Sequence, residues 1–257
     1  MKQYVDFAME CAVEAGEFVI KKSGRMDSVS FKSYRSDLVT EMDKKCEALI
    51  KKNIKKKYPS HSILAEESGK SDRKTDFRWI IDPIDGTTNF VQGFPMFAVS
   101  IALEYKNRSV VGVIYDPNTK ELFHASEGKG AYLNGRRISV SEKSGLGNAL
   151  LSSGYTYSYG KAWKKDMKLF IDMVEHCRSV RCLGTAAIEI AYVACGRLDG
   201  FWEASLCPWD FAAGVVLVRE AGGKVSGFDG KELKNRMGDV IITNGRIHKE
   251  MMKVINN

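Results

Sequence analysis

The chain has 257 residues, with 39 lysines and arginines against 32 aspartates and glutamates, which gives a formal net charge of +7. A hydrophobic fraction of 44% and a charged fraction of 28% are typical of a globular protein and exclude a disordered or fibrous chain. The apolar stretch at 211–218 is only eight residues long, whereas a membrane span needs roughly 20. The first residues carry acids within their apolar pattern, unlike a secretory signal. We therefore expect a cytoplasmic protein without a membrane span.

Cysteine and histidine do not cluster. The six cysteines and four histidines lack the close spacing of a zinc site. We interpret the cysteines as reduced, mostly buried thiols in a reducing compartment. Any bound metal ion would therefore be one that prefers oxygen ligands.

The apolar periodicity changes along the chain. It predicts a helix over 4–22, a loop or frayed hairpin at 25–37, and a second helix after Thr40 that ends before Pro59. Short β-branched or aromatic segments then predict strands at 62–65, 78–82, 98–105, 109–115, 121–126 and 138–140. The later strands are predicted at 150–153, 179–181, 200–203 and 240–243. The later helices are predicted at 163–177, 185–195, 211–221 and 247–255.

This order predicts two parts that pack as one unit. Residues 1–145 form an α+β part with an antiparallel sheet, and they contain most of the candidate metal ligands. Residues 146–257 form an α/β part. No internal repeat or low-complexity linker separates the two.

The segment WIIDPIDGTTNF at 79–90 is the most informative one. Its apolar strand leads to Asp82 and Asp85, two carboxylates that can converge on a hard cation, with the Ile84 carbonyl between them. The five-residue pattern Asp-x-x-Asp-Gly alone is more typical of a plain turn, so the surrounding residues decide the interpretation. The backbone N–H groups that can face an anion are those of Gly86, Thr87 and Thr88.

This segment and LCPWDFAAGVVLVREAGG at 206–223 resemble the two signatures of the inositol monophosphatase family. Three shorter segments agree with the family in chain order: DLVTEMD at 37–43, LAEES at 64–68 and GTAA at 184–187. The resemblance covers essentially the whole chain. It implies a Mg²⁺-dependent phosphomonoesterase with a layered αβαβα sandwich, of mixed α+β and α/β class, that is usually a homodimer.

The resemblance implies two or three Mg²⁺ ions. Glu66, Asp82 and the Ile84 carbonyl would hold the first ion, and Asp82 would bridge to a second that Asp85 and Asp210 complete. Two such ions about 3.5–4 Å apart neutralise a phosphate, activate a water and stabilise the leaving oxygen. Asp210 has an alternative interpretation as the N-cap of the predicted helix at 211–221.

The same resemblance assigns catalytic roles to Thr87, Asp43 and Lys32. The Asp43 carboxylate would accept a hydrogen bond from Thr87, so that the pair orients and deprotonates the attacking water. Thr40 and Asp43 also match a helix-capping pattern, which is the alternative for this acid. Lys32 matches a lysine on a mobile catalytic loop of the family, and its alternative is one solvated lysine among many.

For the alcohol part of the substrate, the resemblance points to Glu203, which matches the acid that accepts hydrogen bonds from ring hydroxyls in inositol-selective members. Sugar-bisphosphatase members tend to use arginines instead, and Arg181 and Arg197 are available here. The predicted substrate residues are Asp85, Gly86, Thr87, Thr88, Gly184, Thr185, Ala186, Glu203 and Arg181.

Together these features predict hydrolysis of a small phosphorylated polyol or sugar, foremost myo-inositol 1-phosphate. The alternatives are fructose 1,6-bisphosphate or a nucleotide 3′-phosphate as substrate, and an RNA- or transcription-associated regulatory protein on the same fold. Lysine-rich faces at 51–57 and 161–168 could steer phosphorylated substrates or bind RNA. No aromatic interleaving accompanies them, so we favour solvated helix faces over a nucleic-acid surface, and the RNA alternative stays open.

Overall fold

The computed structural model describes residues 1–22, 29–31, 38–71, 73, 75–155 and 160–257. Within them the α-helices are α1 (Lys2–Lys22), α2 (Glu41–Lys57), α3 (Thr87–Gln92), α4 (Lys161–His176), α5 (Ala186–Ala194), α6 (Pro208–Glu220) and α7 (His248–Ile255). The first strands are β1 (Val29–Phe31), β2 (Leu38–Thr40), β3 (Ser62–Ala65), β4 (Gly69–Ser71), β5 (Phe77–Asp85), β6 (Ala98–Tyr105), β7 (Arg108–Asp116) and β8 (Glu121–Ser126). The others are β9 (Ala131–Leu133), β10 (Arg136–Ile138), β11 (Leu150–Ser153), β12 (Ser179–Arg181), β13 (Gly200–Leu206), β14 (Lys224–Ser226) and β15 (Gly238–Thr243).

The elements stack in five layers. Alternate residues of β5 point to opposite faces of the larger sheet: Ile80 packs on α5 and α6, whereas Trp79 and Ile81 pack on α1 and α2. In the smaller sheet Phe201 faces α5 and α6, and Trp202 faces α4 and α7. The order is therefore two helices, a sheet, two helices, a sheet and two helices, which confirms the predicted αβαβα sandwich.

The larger sheet has the strand order β10-β9-β8-β7-β6-β5-β3-β4. The sheet predicted as antiparallel contains one parallel pair, because β3 and β5 run in the same direction, with Ser62 opposite Arg78. The reason is β4, a short strand that the sequence did not reveal. It forms an antiparallel hairpin with β3 at the sheet edge, so β4 ends beside the start of β3. Strand β5 therefore begins at that same end and runs parallel to β3 on its other side.

The smaller sheet has the order β12-β11-β13-β15-β14. Strands β11, β12 and β13 are parallel, while β15 pairs antiparallel with both β13 and β14. The larger sheet lies before residue 145 and the smaller one after it. The helices α5 and α6 share one apolar core with both sheets.

Element boundaries differ from the predicted ones where local signals are weak. Strand β5 continues past Asp82 through Pro83 to Asp85, with a register shift against β6. The strand predicted at 138–140 lies at 136–138. The short elements α3 and β14 were not predicted, because six and three residues are too few for a periodic pattern.

Helix α6 packs unusually close to its neighbours. A Cβ atom at Gly112 in β7 would collide with the backbone of Ala213, and one at Gly214 would collide with Ile190 of α5. Both positions therefore need glycine for space: Gly112 sets the distance of α6 from the larger sheet, and Gly214 sets its distance from α5.

The six cysteines are free thiols, and Cys11 and Cys46 are buried. Among the described helices, none combines the length and the apolar character that crossing a membrane requires.

Candidate active site

One pocket of about 340 Å³ lies where β5, α3, α5, β13 and α6 meet. It brings together most of the residues predicted for the site. Those that line it are Glu66, Asp82, Ile84, Asp85, Gly86, Thr87, Thr88, Gly184, Thr185, Ala186, Glu203 and Asp210. Residues from both halves of the chain therefore form its walls.

The turn between β5 and α3 is built around Gly86. Its backbone is left-handed, with φ of 95°, a conformation in which a side chain is strained. A Cβ atom there would also come within 3.2 Å of the carbonyl oxygens of Met96 and Gly184. The glycine thus lets the end of β5 approach the turn before α5.

Asp85 joins the two halves of the chain. Its Oδ2 accepts a hydrogen bond from the Thr185 hydroxyl, and a second from the Ala187 backbone N–H at 2.7 Å. The Asn89 amide reinforces the same contact by donating to the Leu183 carbonyl at 2.8 Å. Burial raises the pKa of Asp85 to about 6, while these donors lower it.

The Thr87 hydroxyl lies 2.9 Å from Asp43 Oδ1 and 3.0 Å from the Ile84 carbonyl oxygen. Asp43 is fully buried in the first turn of α2. This is the contact that the family resemblance implied, and it lies between segments 44 residues apart. Thr87 has one hydroxyl hydrogen to donate, so its lone pairs remain available to accept a hydrogen bond from a water.

The acids at the floor of the pocket repel one another. Burial raises the pKa of Asp82 well above its usual range, and the nearby charges of Glu66, Asp85 and Asp210 raise it further. Burial also raises the pKa of Asp210, with Asp85 and Glu66 as the main repelling charges. Each of these carboxyl groups therefore lies in the electrostatic field of the others.

Asp210 does not occupy the N-cap position. Helix α6 begins at Pro208, before the predicted start at 211, so that Asp210 is the third helical residue and Cys207 is the N-cap. The carboxylate accepts a hydrogen bond from the Cys207 backbone N–H at 2.7 Å. Proline has no N–H group, and the first helical position has no intrahelical acceptor for one, so Pro208 is compatible with the earlier start. The acid stabilises the helix end and also lines the pocket.

The donor chemistry of the pocket fits a hard divalent cation. Six acids line it, and no lysine, arginine or histidine occurs among its described lining residues; the acids are Glu66, Asp82, Asp85, Glu189, Glu203 and Asp210. In the described residues no three acids, histidines or cysteines are arranged to hold one ion as they stand. Mg²⁺ keeps several water ligands and needs only one or two carboxylates. The complete ligand set therefore stays a prediction.

Glu203 and Glu189 also line the pocket. The half-buried Glu203 accepts a hydrogen bond from the backbone of Gly154, and burial raises its pKa. Glu189 is 1% exposed and accepts from the Leu183 N–H at 3.1 Å. Burial raises the pKa of Glu189 to about 8. Both acids thus hold a proton more strongly than an exposed carboxylate does.

Two of the candidate basic residues, Arg181 and Arg197, do not line this pocket. Arg181 is exposed in β12, where it donates to Ser179 Oγ at 2.7 Å, and it does not line the pocket. Arg197 forms a two-pronged pair with Glu121. Each guanidinium is engaged by its own neighbours, so neither is placed to bind a second phosphate here. Lys32 lies outside the described residues.

Several lining residues were not predicted: Asn89, Ser153, Gly154, Tyr155, Cys182, Glu189 and Leu206. A signal existed for Glu189, because it is the one acid in the apolar helix AAIEIAYVA. A sequence signal also existed for Asn89, because it lies in the motif WIIDPIDGTTNF at 79–90. The remaining residues come from loop and strand ends, whose proximity depends on the tertiary fold.

The chain matches the inositol monophosphatase family over residues 1–257 and belongs to it. It is 41% identical over 256 residues to a protein named inositol-1-monophosphatase from Synechocystis, covering 99% of this chain and 89% of that protein. It is 42% identical over 254 residues to a protein named Nus factor SuhB from Escherichia coli K12, covering 98% of this chain and 95% of that protein. The solved IMPase of Thermotoga maritima superimposes with a TM-score of 0.90 at 39% identity, covering 100% of this chain and 97% of that chain.

Glu189→Gln should stabilise the protein increasingly as the pH rises from about 5 to 8. The folded state holds the Glu189 proton up to a pKa of about 8, whereas the unfolded chain releases it near pH 4.3. Wild-type stability therefore falls with rising pH in this window, by up to about 1.4 kcal/mol per pH unit. Glutamine cannot ionise and can still accept from the Leu183 N–H. Urea unfolding in EDTA at several pH values measures the difference.

The matched control is Glu142→Gln, because Glu142 is exposed. It makes the same charge change and should leave the pH dependence as in the wild type. An equal increase in the free energy of unfolding for Glu189→Gln at pH 5 and pH 8 would show that Glu189 does not hold a proton in the folded state.

Proposed function

We propose that this protein is a Mg²⁺-dependent phosphoric monoester hydrolase in the cytoplasm, and that myo-inositol 1-phosphate is its main substrate. Water and the phosphate ester would give inositol and inorganic phosphate. Membership of the inositol monophosphatase family supports the reaction class. A homodimer, the usual assembly implied by the family resemblance, is part of the proposal.

The observation that carries this proposal is the charge of the pocket. Six acids and no described basic residue line it, so a phosphate ester on its own would be repelled. An anionic substrate can enter only together with cations. The Glu66, Asp82, Asp85 and Asp210 carboxylates with the Ile84 carbonyl would hold them. Bound Mg²⁺ would offset phosphate charge and lower the pKa of a water.

The residues of this chain position the attack. Asp43 accepts a hydrogen bond from the Thr87 hydroxyl, so a lone pair of the Thr87 oxygen can orient a water. When that oxygen takes a proton from the water, the hydroxyl proton of Thr87 can pass to Asp43. The backbone N–H groups at the start of α3 face the phosphate. Asp85 keeps its place through Thr185 and Ala187, and the oxygen atoms of the polyol meet the wall that contains Glu203 and Ala186.

Thr87→Val should lower kcat for inositol 1-phosphate by about 100-fold or more and leave KM nearly unchanged, because a positioned proton acceptor contributes roughly 10²–10⁴-fold. Valine keeps the shape of the side chain and removes only the hydroxyl. The assay is phosphate release with Mg²⁺, which EDTA should abolish and added Mg²⁺ restore.

Thr87→Ser is the matched control, since it keeps the hydroxyl and should retain most of the activity. A loss that appears in KM alone would make Thr87 a binding residue. The absence of phosphate release by the wild type from inositol, fructose and adenosine phosphates would overturn the proposed function itself.

Glu203→Gln should slow hydrolysis of inositol 1-phosphate by roughly 10- to 150-fold, because one charge-assisted hydrogen bond to the polyol is worth about 1.5–3 kcal/mol. Hydrolysis of p-nitrophenyl phosphate, which has no ring hydroxyls, should stay largely unchanged. The relative rate on fructose 1,6-bisphosphate should rise, because one repelling charge is removed. Parallel phosphate-release assays on the three esters measure this. A wild type that prefers the bisphosphate would contradict the assignment.

A second candidate is a regulatory role on the same fold. It is favoured by the 42% identity to the protein named Nus factor SuhB and by the lysines on the outer face of α2. Such a role does not require the acids of the pocket. An Asp82→Asn variant separates the two candidates, since it should abolish phosphate release and leave a purely regulatory role intact.

A further inference from the structure

A second cavity, of about 490 Å³, opens at the opposite ends of two elements that form the candidate active site. Arg78 lies near the start of β5, about 13 Å along the strand from Asp82. Arg219 lies near the end of α6, about 14 Å along the helix from Asp210. The two cavities share no described lining residue. The second cavity has the size of a small-molecule site.

The floor of this cavity is a buried polar cluster. The Glu104 carboxylate, 3% exposed, accepts hydrogen bonds from Arg78 Nη2 at 2.7 Å and from Asn235 Nδ2 at 2.6 Å. Asn235 also donates to Ser109 Oγ at 2.9 Å. Among the described residues the buried Arg78 Nε has no hydrogen-bond partner, and 19% of the Arg78 side chain is exposed where it lines the cavity. The guanidinium is therefore held in place with part of its donor capacity unused.

The rim of the cavity is basic. The described lining contains five basic residues, Arg78, Arg108, Arg219, Lys234 and Arg236, against the two acids Glu104 and Glu232. Arg219 pairs with the exposed Glu232 at 3.1 Å, and Arg108 pairs with Glu127, which lies outside the cavity. Within the part of the chain that the structure describes, Lys234 and Arg236 form no ion pair. Excess positive charge therefore remains at the mouth.

We propose that this cavity is a second binding site, distinct from the candidate active site, for a small anion that carries two or more phosphate groups. Arginine offers a planar fork of donors that matches phosphate oxygens, and several cations around one concavity favour a multiply charged ligand. Arg78 supplies the fixed donor on the floor, and Lys234 and Arg236 supply the charge at the rim. The site does not depend on the proposed phosphatase activity.

The test is isothermal titration calorimetry with inorganic triphosphate and the full-length protein in EDTA. Without divalent cations, no positively charged residue among the described lining of the candidate active site can hold the anion, so binding reports on the second cavity. We expect one triphosphate per chain and much weaker binding of orthophosphate. The double variant Lys234→Ala/Arg236→Ala should lower the affinity at least about tenfold. Both side chains are exposed, so the fold should be retained.

The matched control is Lys52→Ala/Lys55→Ala, which removes the same charge from the outer face of α2. It should leave the affinity nearly unchanged. Arg78→Lys tests the floor, because it keeps the charge and removes the fork; the affinity should fall here as well. The proposal would be overturned if the wild type did not bind triphosphate or bound orthophosphate equally well. It would also be overturned if Lys52→Ala/Lys55→Ala lost as much affinity for triphosphate as Lys234→Ala/Arg236→Ala. Since no measurement uses turnover, its failure is distinguishable from failure of the proposed function.

Discussion

Six acidic side chains crowd into one pocket where the two halves of the chain meet, and their negative charges repel one another. The fold holds them there with neutral donors. The Thr185 hydroxyl and the Ala187 N–H fix Asp85, and the Cys207 N–H fixes Asp210. Such donors orient a carboxylate without cancelling its charge. The pocket thus keeps a demand for positive charge that a divalent cation can meet.

This arrangement explains why the site spans both halves of the chain. Asp82 and Asp85 come from β5, while Thr185 precedes α5 and Asp210 belongs to α6. The shared apolar core around α5 and α6 holds these elements together. Hydrophobic packing therefore provides the favourable energy that keeps mutually repelling acids in one place.

Local patterns explain how much could be predicted from the sequence. Period-2 and period-3.6 segments indicated the long helices and strands, and the layered fold is confirmed. The acids near Gly86 and Trp209 belong to contiguous motifs, so their meeting in one pocket could be anticipated from the resemblance. The Thr87–Asp43 contact was anticipated in the same way.

What could not be predicted depends on tertiary contacts. The parallel pairing of β3 with β5 follows from a three-residue edge strand that has no periodic signal. Arg181 was predicted to bind substrate, but its guanidinium donates a hydrogen bond to Ser179 Oγ and does not line the pocket. The position of Asp210 as third residue of α6 depends on where the helix begins, and that start lies three residues before the one that the apolar periodicity indicated.

The close packing of α6 restricts how this fold can acquire new specificity. Because Gly112 and Gly214 leave no space beside the helix, the helix cannot move toward the larger sheet or toward α5 to make room for a larger alcohol. Adaptation to bulkier esters must instead come from Tyr155 and Cys182, which border the pocket, are exposed and carry none of its carboxylates. Libraries for altered substrate range should therefore vary these two positions and leave α6 unchanged.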